Sequence, residues 1–145
     1  MPVSSITEAR NEILSHFTTA WNAQTPPVPL LLYDDKSKPP TPSNPAPYAR
    51  ITVRHTDRDR VTLSDEVGNR RFRADGIITV QVFSVSGDGL TSNDVFVNVA
   101  LDAFEGAKTG EDRVTFRNVR DEEIGEDGPW FQTNVVAEFD YDVVK

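Results

Sequence analysis

The sequence contains no cysteine, one methionine and two histidines in 145 residues. The first absence excludes disulfides, thiolate nucleophiles and cysteine-ligated metals, and leaves the redox compartment open. The two histidines, His16 and His55, are 39 positions apart. A lone histidine makes no metal site, and His16 reads as a boundary residue beside an apolar helical stripe. His55 has Asp57 nearby, but no G-x-S-x-G elbow supplies a nucleophile, so no Ser–His–Asp triad is expected. There is no G-x-x-x-x-G-K-[ST] loop. Gly87-Asp88-Gly89 lacks the third glycine of a dinucleotide fingerprint and reads as a turn. No apolar run approaches the roughly 18 residues of a membrane span. The opening MPVSSITEARNE has no basic stretch followed by an apolar one, so no signal peptide is expected and a soluble cytoplasmic product is the default. These absences together give the expectation of no catalytic residue, no metal and no cofactor.

What the chain does contain is acid. Asp and Glu number 23 against 15 Lys and Arg, for a net charge of −8. Neutralising phosphates dominates DNA affinity, so this balance argues against a free DNA-binding domain. At this length one domain can bury a working core.

Apolar periodicity divides the chain. Ser5-Ile6-Thr7-Glu8 has the form of a capping box. Ile6, Ala9, Ile13, Leu14, Phe17 and Trp21 then recur at three- and four-residue steps, which predicts a helix near 5–22, ended before Pro26-Pro27. Val28 to Tyr33 reads as a short buried strand. Five prolines between Pro39 and Pro47 make 34–47 a loop, either a surface loop or an extended arm lying on a neighbouring subunit. YARITVRH, from Tyr48 to His55, alternates as a half-buried strand. A short strand at 61–63 and a turn at Val67-Gly68-Asn69 follow. A long strand from Arg71 to Val85 has Ile78, Val80 and Val82 on one face. Thr91 or Ser92 is the expected cap of a second helix, with Asp94 in its first turn and Gly106 as its stop. A strand is expected at 113–120, then an acidic turn, DEEIGEDGP. Its Asp121, Glu122, Glu123, Glu126 and Asp127 fail the EF-hand spacing and read as a solvated turn, weak divalent-cation binding being the lesser alternative. A last strand near 131–143 sets Phe131, Thr133, Val135, Ala137, Phe139 and Tyr141 against Gln132, Asn134, Glu138, Asp140 and Asp142. Two helices cannot cover both faces of such a sheet. The expected fold is therefore α+β, a largely antiparallel mixed sheet with two helices packed on one face.

Several segments together resemble a family. Helix one ending in FTTAWNAQTP, then LLLYDD, PYARITVRH, NRRFRADGIITVQVFSVSGDGL, VALDAFEG and DGPWFQTNVVAEFDYD, follow the order seen in the tail terminator (tail completion) proteins of long-tailed bacteriophages. The resemblance spans nearly the whole chain and rests on order and spacing. It implies a non-enzymatic virion protein, assembled in the host cytoplasm and placed at the head-proximal end of the tail. It implies a hexameric ring that caps the tail tube, ends its polymerisation and offers the head–tail joining surface. The implied partners are other copies of the chain, the tail tube protein and the head–tail connector or stopper protein. DNA would pass through the lumen without sequence-specific binding, and no membrane is involved. A head–tail stopper or neck adaptor is the alternative role. The proline-rich segment departs from simpler members of the family.

One stretch, RHTDRDRVTLSDEVGNRRFR, stands out in so acidic a chain. It holds Arg54, Arg58, Arg60, Arg70, Arg71 and Arg73, interleaved with Asp57, Asp59, Asp65 and Glu66. Only Phe72 could stack on a base, so a nucleic-acid grip is the least favoured reading. A solvated hairpin and an interface of Arg–carboxylate pairs both fit. The favoured picture is a charged hairpin at 54–73 that projects from the sheet and docks on a neighbour. Its candidate acceptors are Glu138, Asp140 and Asp142 on the last strand, or the 121–127 cluster.

Overall fold

The computed structural model describes residues 4–24, 28–32, 45–62, 66–107, 109 and 113–145. Most of the expected proline-rich loop, at 34–44, lies outside the described residues, as do Leu63 and Asp65.

The first helix, α1, is Ile6–Trp21. Ser5 caps it by accepting a hydrogen bond from the Glu8 amide at 3.1 Å. The reciprocal half of the capping box is displaced by one residue, since the Glu8 carboxylate bonds the Ser4 amide. The stripe Ala9, Ile13, Phe17 and Trp21 is buried.

Five strands follow: β1 (Leu30–Leu32), β2 (Tyr48–Arg60), β3 (Arg71–Val85), β4 (Val114–Asp127) and β5 (Trp130–Val144). They form one sheet in the order β1-β2-β3-β5-β4. Only the β1–β2 pair is parallel; the others are antiparallel. Helix α2 (Leu90–Phe104) joins β3 to β4 and β5. The fold is thus α+β with a mostly antiparallel mixed sheet.

Alternation decides what each face carries. Ala49 and Ile51 of β2, Ile78, Val80 and Val82 of β3, and Val135, Ala137, Phe139 and Tyr141 of β5 join one core with both helices. Both helices therefore lie on the same face. Phe17 stacks on Phe104 with centroids 5.3 Å apart, and Phe104 meets Phe116 edge-on at 5.0 Å. A fully buried Phe contributes roughly 1.5–3 kcal/mol, so this aromatic row is a large share of the helix–sheet contact. His16 extends it. Its half-buried ring lies 5.4 Å from Phe116, and its Nε2 is 2.7 Å from the Ala103 carbonyl oxygen in the last turn of α2. It is a helix–helix tie, which fits the boundary role expected of it.

A smaller cluster lies apart. Leu31, Tyr48, Phe83 and Trp130 pack together, with Tyr48 and Phe83 stacked at 4.4 Å. Phe83 belongs to the opposite parity from Val80 and Val82, so this cluster sits on the face away from the helices, at the end near β1. The Trp130 indole is fixed by its hydrogen bond to the Ala46 carbonyl, 3.0 Å.

Four expectations need correction. First, β2 runs on to Arg60, so His55 lies within a strand; β3 keeps offering pairing partners, and a bulge between His55 and Asp57 absorbs the irregularity. Second, no separate strand forms at Val61 and Thr62; they follow the end of β2, with the Val61 amide bonded to the Arg71 carbonyl. Third, α2 begins at Leu90, earlier than expected, with Gly89 at its N-cap and no side-chain cap. Gly89 has φ +79°, a turn that glycine makes without strain, and Asp94 consequently falls beyond the first turn. Fourth, the acidic segment is not a turn. Residues 121–127 continue β4 and pair with β5 back to Trp130. Two bulges allow this, with Asn118 and Gly125 at positive φ. The expected turn at Val67-Gly68-Asn69 and the stop at Gly106 (φ +64°) do occur.

Gly76 occupies the tightest point of the sheet. It pairs with His55 on one side and Phe139 on the other. A Cβ there would overlap the Arg54 carbonyl oxygen and the Phe139 ring. Gly76→Val is expected to cost about 3 kcal/mol by overpacking, read as a lowered urea midpoint. Gly87→Ala meets no atom within 4 Å and should be near neutral as the control.

Candidate functional site

The face of the sheet away from the helices is polar and open over most of its length. Pairing register places Arg54, Arg71, Arg73, Glu138, Asp140 and Asp142 on it. Arg73 lies opposite Asp142, Asp75 opposite Asp140, and Ile77 between Arg54 and Glu138. On the far side of β5, Thr115 lies opposite Asp140 and Arg117 opposite Glu138.

These side chains form an ion-pair network. Arg73 Nε is 3.2 Å from Asp142 Oδ1, and Arg71 reaches the other oxygen at 3.9 Å. Arg117 sits among three carboxylates. It pairs with Asp140, and reaches Asp75 at 3.6 Å and Glu138 at 3.8 Å. Arg120 adds a 3.9 Å contact to Glu138, and the Thr115 hydroxyl donates to Asp140 at 2.7 Å. Four arginines thus face four carboxylates. The side chains are a quarter to a half exposed, so each pair is screened and contributes little; the value lies in the network.

Glu138, Asp140 and Asp142, expected to accept arginines from a neighbour, are therefore engaged within their own chain. Arg71 and Arg73 are engaged in the same contacts. Arg70 is tied to the C-terminal residue by backbone bonds to Lys145 of 3.0 and 2.8 Å. Arg60 Nε donates to the Thr62 carbonyl at 3.0 Å. Arg58 lies over the Phe72 ring, 5.9 Å from its centroid. Arg54 is exposed, with no ion pair among the described residues. The arginines do not form one stripe. The bulge at 55–57 puts Arg58 opposite Ala74, on the helix-side parity, while Arg54 takes the outer face.

Arg117, Arg120 and Asp75 were not singled out from sequence. A signal existed for Arg117: Thr115 and Arg117 alternate with Val114 and Phe116, which marks them as outward-facing. Arg120 gave none, because the bulge after Arg117 breaks the parity.

On the helix side, His55 Nε2 is 2.7 Å from the Tyr141 hydroxyl, and the ring stands edge-on to Phe139. His55 thus pairs with Tyr141; Asp57 instead accepts from the Arg58 amide at 2.8 Å. Burial, then the charges of Arg10 and Arg58, push the His55 pKa down. Burial raises that of Tyr141 against the same two arginines. His55 Nδ1 is buried with no hydrogen-bond partner among the described residues, so a second ring proton would have no acceptor.

No family model and no curated protein sequence matches the chain. One solved structure that carries no functional name is similar over 91% of this chain and 94% of its own, with a TM-score of 0.65 and 20% identity. That likeness is one of fold.

Two outcomes follow. Arg117→Ala leaves Asp75, Glu138 and Asp140 facing one another, and should cost about 1 kcal/mol, more at low salt than at high salt, in urea unfolding. An unfolded histidine takes its proton near pH 6.5, whereas folded His55 takes it only at lower pH. Stability is therefore full above 6.5 and falls as pH drops below it, by up to about 1.4 kcal/mol per pH unit. The His55→Gln variant should lose this slope in the same window.

Proposed function

We propose that this chain is a non-enzymatic structural subunit of a long-tailed phage tail, a terminator that assembles as a ring on the finished tube. In this role it ends tube polymerisation and presents the surface that meets the head connector. The order of segments across nearly the whole chain supports the reading.

The observation that carries it is the β2–β3 hairpin. Beyond His55, β2 is exposed at every residue to Arg60, and its outer edge has no strand beside it among the described residues. An extended charged hairpin with an open edge is a surface that natural proteins cover, blunt or use. Here it is used to contact other subunits. The acid excess of the chain has a second use, since a lumen of that sign lets DNA slide without sticking.

The test is binding to tail tubes of the same virus. Purified protein mixed with isolated tubes should appear as a cap at one end in negative-stain images, and should hold tube length constant when tube protein is added. Tubes that stay bare and continue to grow, with the protein bound instead to the connector, would replace the terminator role with that of a stopper or adaptor.

A further inference from the structure

We propose that the chain binds a second copy of itself head to tail, through the open β2 edge at 54–60 on one copy and the acidic β4 edge at 121–127 on the next. This rests on the ring reading above and names the two surfaces that such an assembly joins.

Both surfaces are strand edges without a neighbour among the described residues. β4 is the last strand of the sheet, and β1 covers β2 only at 49–51. Their charges are opposite. Residues 121–127 hold five acids and no base, while 54–60 holds Arg54, Arg58 and Arg60 against Asp57 and Asp59, a net positive strip in a chain of net charge −8. Asp121, Glu122 and Glu123 are exposed and have no ion pair among the described residues. The other acids considered, Glu138, Asp140 and Asp142, are held by Arg71, Arg73, Arg117 and Arg120 of their own chain. Of the two candidate acceptors, the network on the open face thus leaves the β4 edge free, and Arg54 and Arg58 have no carboxylate partner for their side chains among the described residues.

Each edge also carries apolar surface. Ile124, within the acidic edge, is 51% exposed; Val61 and Val67, at the end of the hairpin, are 45% and 80% exposed. Burying such residues between charged neighbours is the usual pattern of an interface core with a polar rim.

The pairing register sets the symmetry. β2 at 54–60 lies at the same end of the sheet as Val114 to Arg117 of β4, and 121–127 lies at the other end. The complementary surfaces occupy opposite edges and opposite ends. A two-fold dimer built on the 121–127 edge would set acid against acid. The contact is heterologous, and successive copies advance around a ring when the rotation closes. The two bulges in β4 twist its edge away from flat strand addition, so side chains carry the recognition.

The experiment uses the full chain and two variants, Arg54→Glu with Arg58→Glu, and Glu122→Lys with Glu123→Lys. Mass is read by native mass spectrometry and sedimentation at low salt, with circular dichroism to establish folding. Wild-type protein should associate beyond a dimer. Each variant alone should associate at least about tenfold more weakly, because like charges now meet. An equimolar mixture should recover assembly, because each variant now complements the other. Should the lysine variant fail to fold, Glu122→Gln with Glu123→Gln removes the charge more gently. A variant that assembles as well as wild type, a mixture that does not recover, or a wild-type chain that stays monomeric overturns the proposal. The tube-capping images distinguish these failures from failure of the tail reading. A wild-type chain that caps tubes while the charge variants cap equally well rejects these surfaces and keeps the terminator.

Discussion

The pairing of β3 with β5 is the constraint on which the other features depend. It runs without a register shift from Arg71 opposite Val144 to Val85 opposite Trp130. In that register every second residue of both strands lies under the helices, and the alternate residues face outward. A slip of one residue would carry Arg73, Asp75 and Asp140 beneath α1 and α2 and expose Ile78, Ala137 and Phe139. Burying those charges without partners would cost far more than any surface ion pair returns. The core and the charged face are thus two consequences of one register.

The helix-side face explains how the hairpin keeps its direction. His55, Gly76, Phe139 and Phe116 form one row across β2, β3, β5 and β4. Phe139 packs onto the space that Gly76 leaves, and His55 stands edge-on to it while bonding Tyr141. Beyond this row the bulge in β2 turns Arg58 toward Phe72 and away from Arg54. The charged hairpin is therefore anchored at its base by a glycine–aromatic contact; it lies within the sheet and does not project from it as expected, since β3 stays paired with β5 to Arg71, and only the β2 edge is open toward the tip among the described residues.

The outer face is not uniform. An aromatic cluster closes it near β1, and an ion-pair network covers its middle and hairpin end. The β4 edge carries acid that has no ion pair among the described residues. In the proposed ring, the network acts structurally, because it holds the hairpin flat against β5 and occupies the nearby carboxylates. Asp121, Glu122 and Glu123 then stand at the β4 edge, where a neighbour can meet them.

Much of this was legible beforehand. Alternation in ITVRH, GIITVQV and NVVAEFDYD marked strands and their buried faces, and the stripe from Ala9 to Trp21 marked α1, because side-chain period is a local property. The α+β class followed from element order. Four things were decided only by the tertiary structure. The acidic segment 121–127 reads as a turn by composition, yet β5 offers it hydrogen bonds and the bulges let it take them. Phe83 and Trp130 belong to a second cluster because β1 and Ala46 reach that face. Arg117 and Arg120 became partners of Glu138 because strands distant in sequence are adjacent in the sheet. The requirement for glycine at position 76 came from the ring across the strand. Away from the bulges, sequence determines which way each residue points along its own strand; which side chain stands beside it depends on register between strands, and that is set by the packing of the whole core.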